Sequence, residues 1–81
     1  MKIKYFSWVK DITSKEFEII NRDFPEDINE LKEMLNKSYP DLKKHIDSEI
    51  LRYAINMEYI STNEKLNITD EIAIFPPVSG G

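Results

Sequence analysis

The sequence predicts an α+β fold: a mixed sheet of four to five strands with one main helix packed on one face. Three observations lead there. Stretches of period-two alternation open and close the chain, and between them lies one run at helical spacing. The 81 residues allow one small domain, and a hydrophobic fraction of 41% is enough for its core.

Residues 3–9 alternate. Ile3, Tyr5, Ser7 and Val9 face one way; Lys4, Phe6 and Trp8 face the other, which predicts the first strand. Residues 11–14 read as a turn or a short helical turn. Residues 16–21 alternate again, with Phe17 and Ile19 on one face, as a second strand returning in a hairpin. Phe24-Pro25 ends it. Asp27 followed three residues later by Glu30 has the form of a capping box. Ile28, Leu31, Met34 and Leu35 then fall on one helical face, so the helix spans 27–38. Tyr39-Pro40 stops it, because a residue before proline avoids the helical region. Residues 41–49 are polar around Leu42 and Ile46 and suit a loop or short helix. Residues 50–55 form a third strand, 57–61 a short fourth, and 70–75 the last, with Ile72 and Ile74 opposite Ala73 and Phe75. Strand, strand, helix and then three strands is the order of a ubiquitin-like β-grasp roll, whose first and last strands lie parallel at the centre. The expected division is a domain over 1–75 and an extended, flexible tail over 76–81.

Composition excludes several functions. No cysteine is present, so disulfides, zinc knuckles and side-chain thiol chemistry are ruled out. Eleven Lys and Arg against 15 Asp and Glu give a net charge of −4, opposed to nucleic acid and anionic membranes. No stretch has the length of a membrane span or the apolar core of a signal peptide, so the expected location is the cytoplasm. His45 has no companion histidine or cysteine and reads as a solvated loop residue rather than a metal ligand. Asp11, Asp23, Asp27, Asp41, Asp47 and Asp70 form no catalytic pair and read as caps and turns.

The chain has only two glycines, and both are its last residues. They end the run Phe75-Pro76-Pro77-Val78-Ser79-Gly80-Gly81, which closely resembles the C-terminus of the small, sulfur-carrier subunits of molybdopterin synthase. Ala54-Ile55-Asn56, the first strand with its aromatic pair and the central helix stand at compatible positions. The resemblance implies that the Gly81 carboxylate is adenylated with ATP by an activating enzyme. A sulfur donor then converts it to a thiocarboxylate. The thiocarboxylate gives its sulfur to a pyranopterin precursor in the large subunit, forming the molybdopterin dithiolene. It also implies two small subunits flanking a dimer of large ones, and no permanently bound cofactor.

The tail suits that task. Pro76-Pro77 favours a stiff, extended exit. Residues 77–81 span at most about 17 Å. Gly80 and Gly81 carry no Cβ to block a narrow channel. With the first and last strands adjacent, Phe6 and Phe75 come together on one exposed face, a candidate partner patch with Tyr59, Pro76, Pro77, Val78 and Ser79. Trp8 either joins that patch or covers the far side of the sheet. Two departures from the family pattern stand out. Ile68-Thr69 stand where many members have Asp-Gly, and a β-branched pair resists positive φ. Tyr59 stands where relatives are often aliphatic. The competing readings are a thiamine-pathway sulfur carrier, a ubiquitin-like protein modifier, and a β-grasp interaction module without chemistry.

Overall fold

A computed structural model describes residues 1–77. Its strands are β1 (Lys2–Tyr5), β2 (Phe17–Ile19), β3 (Arg52–Ile55), β4 (Glu58–Ile60) and β5 (Glu71–Phe75). Its helices are α1 (Trp8–Thr13), the main helix α2 (Ile28–Ser38) and α3 (Lys43–Asp47), the last preceded by a 3₁₀ turn at Pro40–Leu42. The five strands form one sheet in the order β2-β1-β5-β3-β4. β1 and β5 run parallel at its centre, with Ile3 beside Ile72 and Tyr5 beside Ile74. The remaining pairs are antiparallel. This is the predicted β-grasp arrangement.

Alternation explains the sheet's two faces. Ile3, Tyr5, Ile72, Ile74 and Tyr53 point inward and are buried beneath Ile28, Leu31 and Leu35 of α2. Val9, Leu42, Ile46, Leu51 and Leu66 close the rim of that core. Asp27 caps α2: its carboxylate accepts the Glu30 N–H at 2.8 Å, and Glu30 Oε1 reaches back to the Glu26 N–H. That backbone bond, helped by the Asn63 side chain, holds the Asp27 carboxyl below the usual carboxylate range. The far end of α2 is tied to the sheet edge by a carboxylate clamp. The hydroxyls of Tyr5 and Tyr39 both donate to Glu18 Oε2 at 2.5 Å. Burial first, and then that bond, push the Tyr5 phenol above its ordinary range.

Several expectations are corrected. The first strand stops at Tyr5 instead of running to Val9. Ser7 takes φ 57° and turns the chain into α1, where Val9 and Thr13 are buried one turn apart. Trp8 therefore leaves the face it was expected to share with Phe6, and its ring packs 4.6 Å from that of His45. His45 itself lies half-buried on α3, not on a loop. β1 and β2 pair as expected, but α1 fills the connection, so no tight hairpin joins them. β3 begins at Arg52; Ile50 precedes it, after Glu49 at φ 59° has ended the helical segment. The Ile68-Thr69 turn needs no positive φ. The Asp70 N–H bonds the Asn67 carbonyl at 2.9 Å, and the Asp70 side chain accepts the Asn67 N–H at 2.8 Å. An aspartate thus does the work expected of glycine.

Among the described residues, two buried side-chain oxygens lack a hydrogen-bond partner, Asn36 Oδ1 and the Tyr53 hydroxyl; the second lies in the core. Tyr53 is 7% exposed, and its hydroxyl has no hydrogen-bond partner. A buried polar group without a partner costs about 1–3 kcal/mol. Tyr53→Phe should therefore raise stability by about 1 kcal/mol, measured by denaturant unfolding. Burial also pushes this phenol from 10.0 up to about 12. As pH rises through that interval the unfolded chain loses the proton before the folded chain does, so the wild type loses stability. The phenylalanine variant should lack this component. Destabilisation at neutral pH would show that the hydroxyl is paired in solution.

Candidate functional site

The sheet's outer face carries the site. The alternation that buries Ile72 and Ile74 turns Ala73 and Phe75 outward. Ala73 stands opposite Ala54 of β3, which stands opposite Tyr59 of β4. Two small side chains in the central strands leave a shallow floor. Aromatic rings wall it: Tyr59 packs on Phe75 with ring centroids 5.6 Å apart. Phe6 closes the other side, held in register with β5 by its N–H on the Ile74 carbonyl at 3.1 Å. Met57, Pro76 and Pro77 complete an open groove with a volume of ≈ 610 Å³. A smaller recess of ≈ 330 Å³ lies beyond Phe75, between Arg52, Tyr59 and Pro77.

Phe6 is 42% and Tyr59 80% exposed, so this apolar surface faces solvent. Beyond Lys2 and Lys4 of β1, Phe17 and Ile19 of β2 are also exposed on this face. Charge lies at its margin. Lys4 pairs with Glu71 at 3.3 Å and leans over the Phe6 ring at 5.6 Å. A contiguous apolar groove with a charged margin is built for docking. It presents no nucleophile beside a base. Among the described residues no group of three or more His, Asp or Glu could hold a metal ion. No helix of the described residues is long and apolar enough to cross a membrane.

Of the residues singled out from sequence, Phe6, Tyr59, Phe75, Pro76 and Pro77 come together around this groove. Val78, Ser79, Gly80 and Gly81 lie outside the described residues. The chain leaves β5 at the groove's end, so Pro76-Pro77 links the docking face to the segment expected to carry the chemistry.

A protein-family model described as the ThiS family matches residues 3–81. The chain belongs to the ThiS family. Among curated relatives of this ThiS-family chain, the molybdopterin synthase sulfur carrier subunit of Dictyostelium discoideum is 39% identical over 83 residues. That match covers 99% of this chain and 94% of the relative. Among solved structures, the small archaeal modifier protein 1 of Methanosarcina acetivorans superposes with a TM-score of 0.78 at 26% identity, covering 99% and 94% of the two chains. A complex of subunits 1 and 2 of the molybdopterin-converting factor from Helicobacter pylori matches with a TM-score of 0.65 at 27% identity, covering 99% and 96%.

Sequence reasoning missed Ala54, Ala73 and Met57 as groove residues. The two alanines were legible only once strand register placed them opposite each other. Met57 sits in the two-residue β3–β4 turn, where Asn56 has φ 50° and Met57 φ 71°. Such a turn favours Asn-Gly, and a ThiS-family chain with no glycine to spare has methionine there instead. The side chain of Asn56 fastens the turn to β5, donating to Asp70 Oδ1 at 2.9 Å and accepting the Glu71 N–H at 3.0 Å. Left-handed backbone costs a residue with a Cβ about 1 kcal/mol. Met57→Gly should therefore raise the free energy of unfolding by about 1 kcal/mol. A fall would show that the turn carries no strain.

Proposed function

We propose that this ThiS-family chain is the sulfur-carrier subunit of a molybdopterin synthase, and that it carries the sulfur on the carboxyl group of Gly81. One observation carries the reading. The strand that forms the groove's aromatic wall runs directly into Pro76-Pro77 and the Gly-Gly end, so one element joins a docking surface to a reactive terminus. The 39% identity to a relative named as such a subunit supports it, as does the likeness to a chain solved in a two-subunit complex.

The chemistry follows from the carboxylate. Its negative charge and resonance repel a nucleophile, so it must first be activated. The carboxylate oxygen attacks the α-phosphorus of ATP and pyrophosphate leaves, giving an acyl-adenylate. Sulfide released by a donor then attacks the carbonyl carbon, and AMP leaves with the former carboxylate oxygen, giving the thiocarboxylate and a proton. Splitting one hard exchange into two displacements is the logic of covalent catalysis. The activating enzyme consumes the ATP, and this chain holds no resident cofactor. The groove docks the large subunit, placing the tail's end within reach of a pyranopterin precursor in that subunit's pocket. Two such chains serve a dimer of large subunits. The cytoplasm, which supplies ATP, is the compartment this reading assigns to the cycle.

The test is reconstitution. Thiocarboxylated chain, its cognate large subunit and the pyranopterin precursor are expected to yield the dithiolene. Delivery of the sulfur to a thiazole precursor, or isopeptide bonds from Gly81 to lysines, with no dithiolene formed, would contradict the assignment.

A further inference from the structure

The three methionines of the chain differ sharply in exposure. Met1 is 7% exposed and belongs to the core, Met34 is half-buried against it, and Met57 is 95% exposed. No cysteine competes for an oxidant. The exposed thioether also has a defined neighbourhood. The left-handed turn, with Met57 at φ 71°, stands at the rim of the groove walled by Phe6, Tyr59 and Phe75. We infer that Met57 is a reversible oxidation site, and that its sulfoxide weakens docking of the outer sheet face on the large subunit. The docking part rests on the function proposed above.

The oxidant is a peroxide. A sulfur lone pair attacks one peroxide oxygen, the O–O bond breaks, and an S–O bond forms. The departing oxygen takes up a proton and leaves as water. Sulfur is oxidised and peroxide reduced, with no further reactant. The change replaces a flexible apolar contact by a polar, chiral acceptor. An interface that closes over the rim must then desolvate the sulfoxide oxygen, which the apolar walls cannot hydrogen-bond. The fold is spared, because at 95% exposure the side chain contributes no core contact.

The experiment treats the full chain with hydrogen peroxide and reads two quantities. Peptide mapping should show one added oxygen at Met57 well before Met1 or Met34. Binding of the cognate large subunit should weaken at least tenfold on oxidation, and methionine sulfoxide reductase should restore it. Met57→Leu, whatever its own affinity, should give the same Kd before and after peroxide. Equal oxidation of Met1 or Met34, or an unchanged Kd for chain oxidised at Met57, overturns the inference while leaving the docking face intact. Failure of the untreated chain to bind the large subunit overturns the docking reading itself, and the inference with it.

Discussion

Deleting Gly81, adding one residue after it, or giving it a side chain should each cut sulfur transfer at least about 100-fold while leaving thermal unfolding unchanged. The magnitude follows from geometry. One extended residue moves the chain end by about 3.3–3.6 Å. That is as large as the whole separation of about 3–3.5 Å at which reacting atoms must be held, and smaller misplacements already cost about 100-fold. Folding should not respond, because among the described residues Ile74 is the last member of the buried core. Gly81→Ala tests the channel rather than the reach, since it adds one methyl beside the carbonyl. Rates of dithiolene formation and melting curves on the same preparations check both halves. A variant lacking Gly80 and Gly81 that still supports dithiolene formation would refute the role of the tail.

Phe75→Arg should weaken binding to the large subunit by about 30-fold or more, with little change in unfolding. The ring lies on the outward side of β5, half-buried against Tyr59 and flanked by both recesses of the face. Loss of a central aromatic anchor costs about 2 kcal/mol or more, and each 1.4 kcal/mol is tenfold in Kd. Arginine adds the cost of desolvating a charge against an apolar partner. Titration of variant and wild type into the large subunit gives the first quantity, and denaturant unfolding the second. An equal loss of folding stability would place Phe75 in the core and remove the argument for the groove.

The sheet and main helix were legible because each depends on local pattern. Ile72 and Ile74 alternate with Ala73 and Phe75, and Asp27 with Glu30 marks the start of α2. The parallel pairing of β1 and β5 followed from element order. Period two failed at residues 6–9, where two alternating pairs also fit one helical turn. What decides there is Ser7 at φ 57°, a tertiary choice that a serine does not announce. His45 was misplaced for a related reason: its contact is with Trp8, far away in sequence. The groove was half legible. Its aromatic walls stand out in any sequence, but the alanine floor and Met57 are ordinary residues until strand register brings them together. Tyr59 extends the Phe75 wall.

The central claim is that sulfur travels on the terminal carboxyl of Gly81. The most direct measurement is the mass of the chain after incubation with ATP, an activating enzyme and a sulfur source. The account predicts a gain equal to one sulfur minus one oxygen, with fragmentation placing it at Gly81. Oxidation of Met57 gives the same nominal gain, so the location of the change decides the outcome. Sulfur found on any other residue, or a terminus that stays a carboxylate under conditions that support dithiolene formation, would contradict the account.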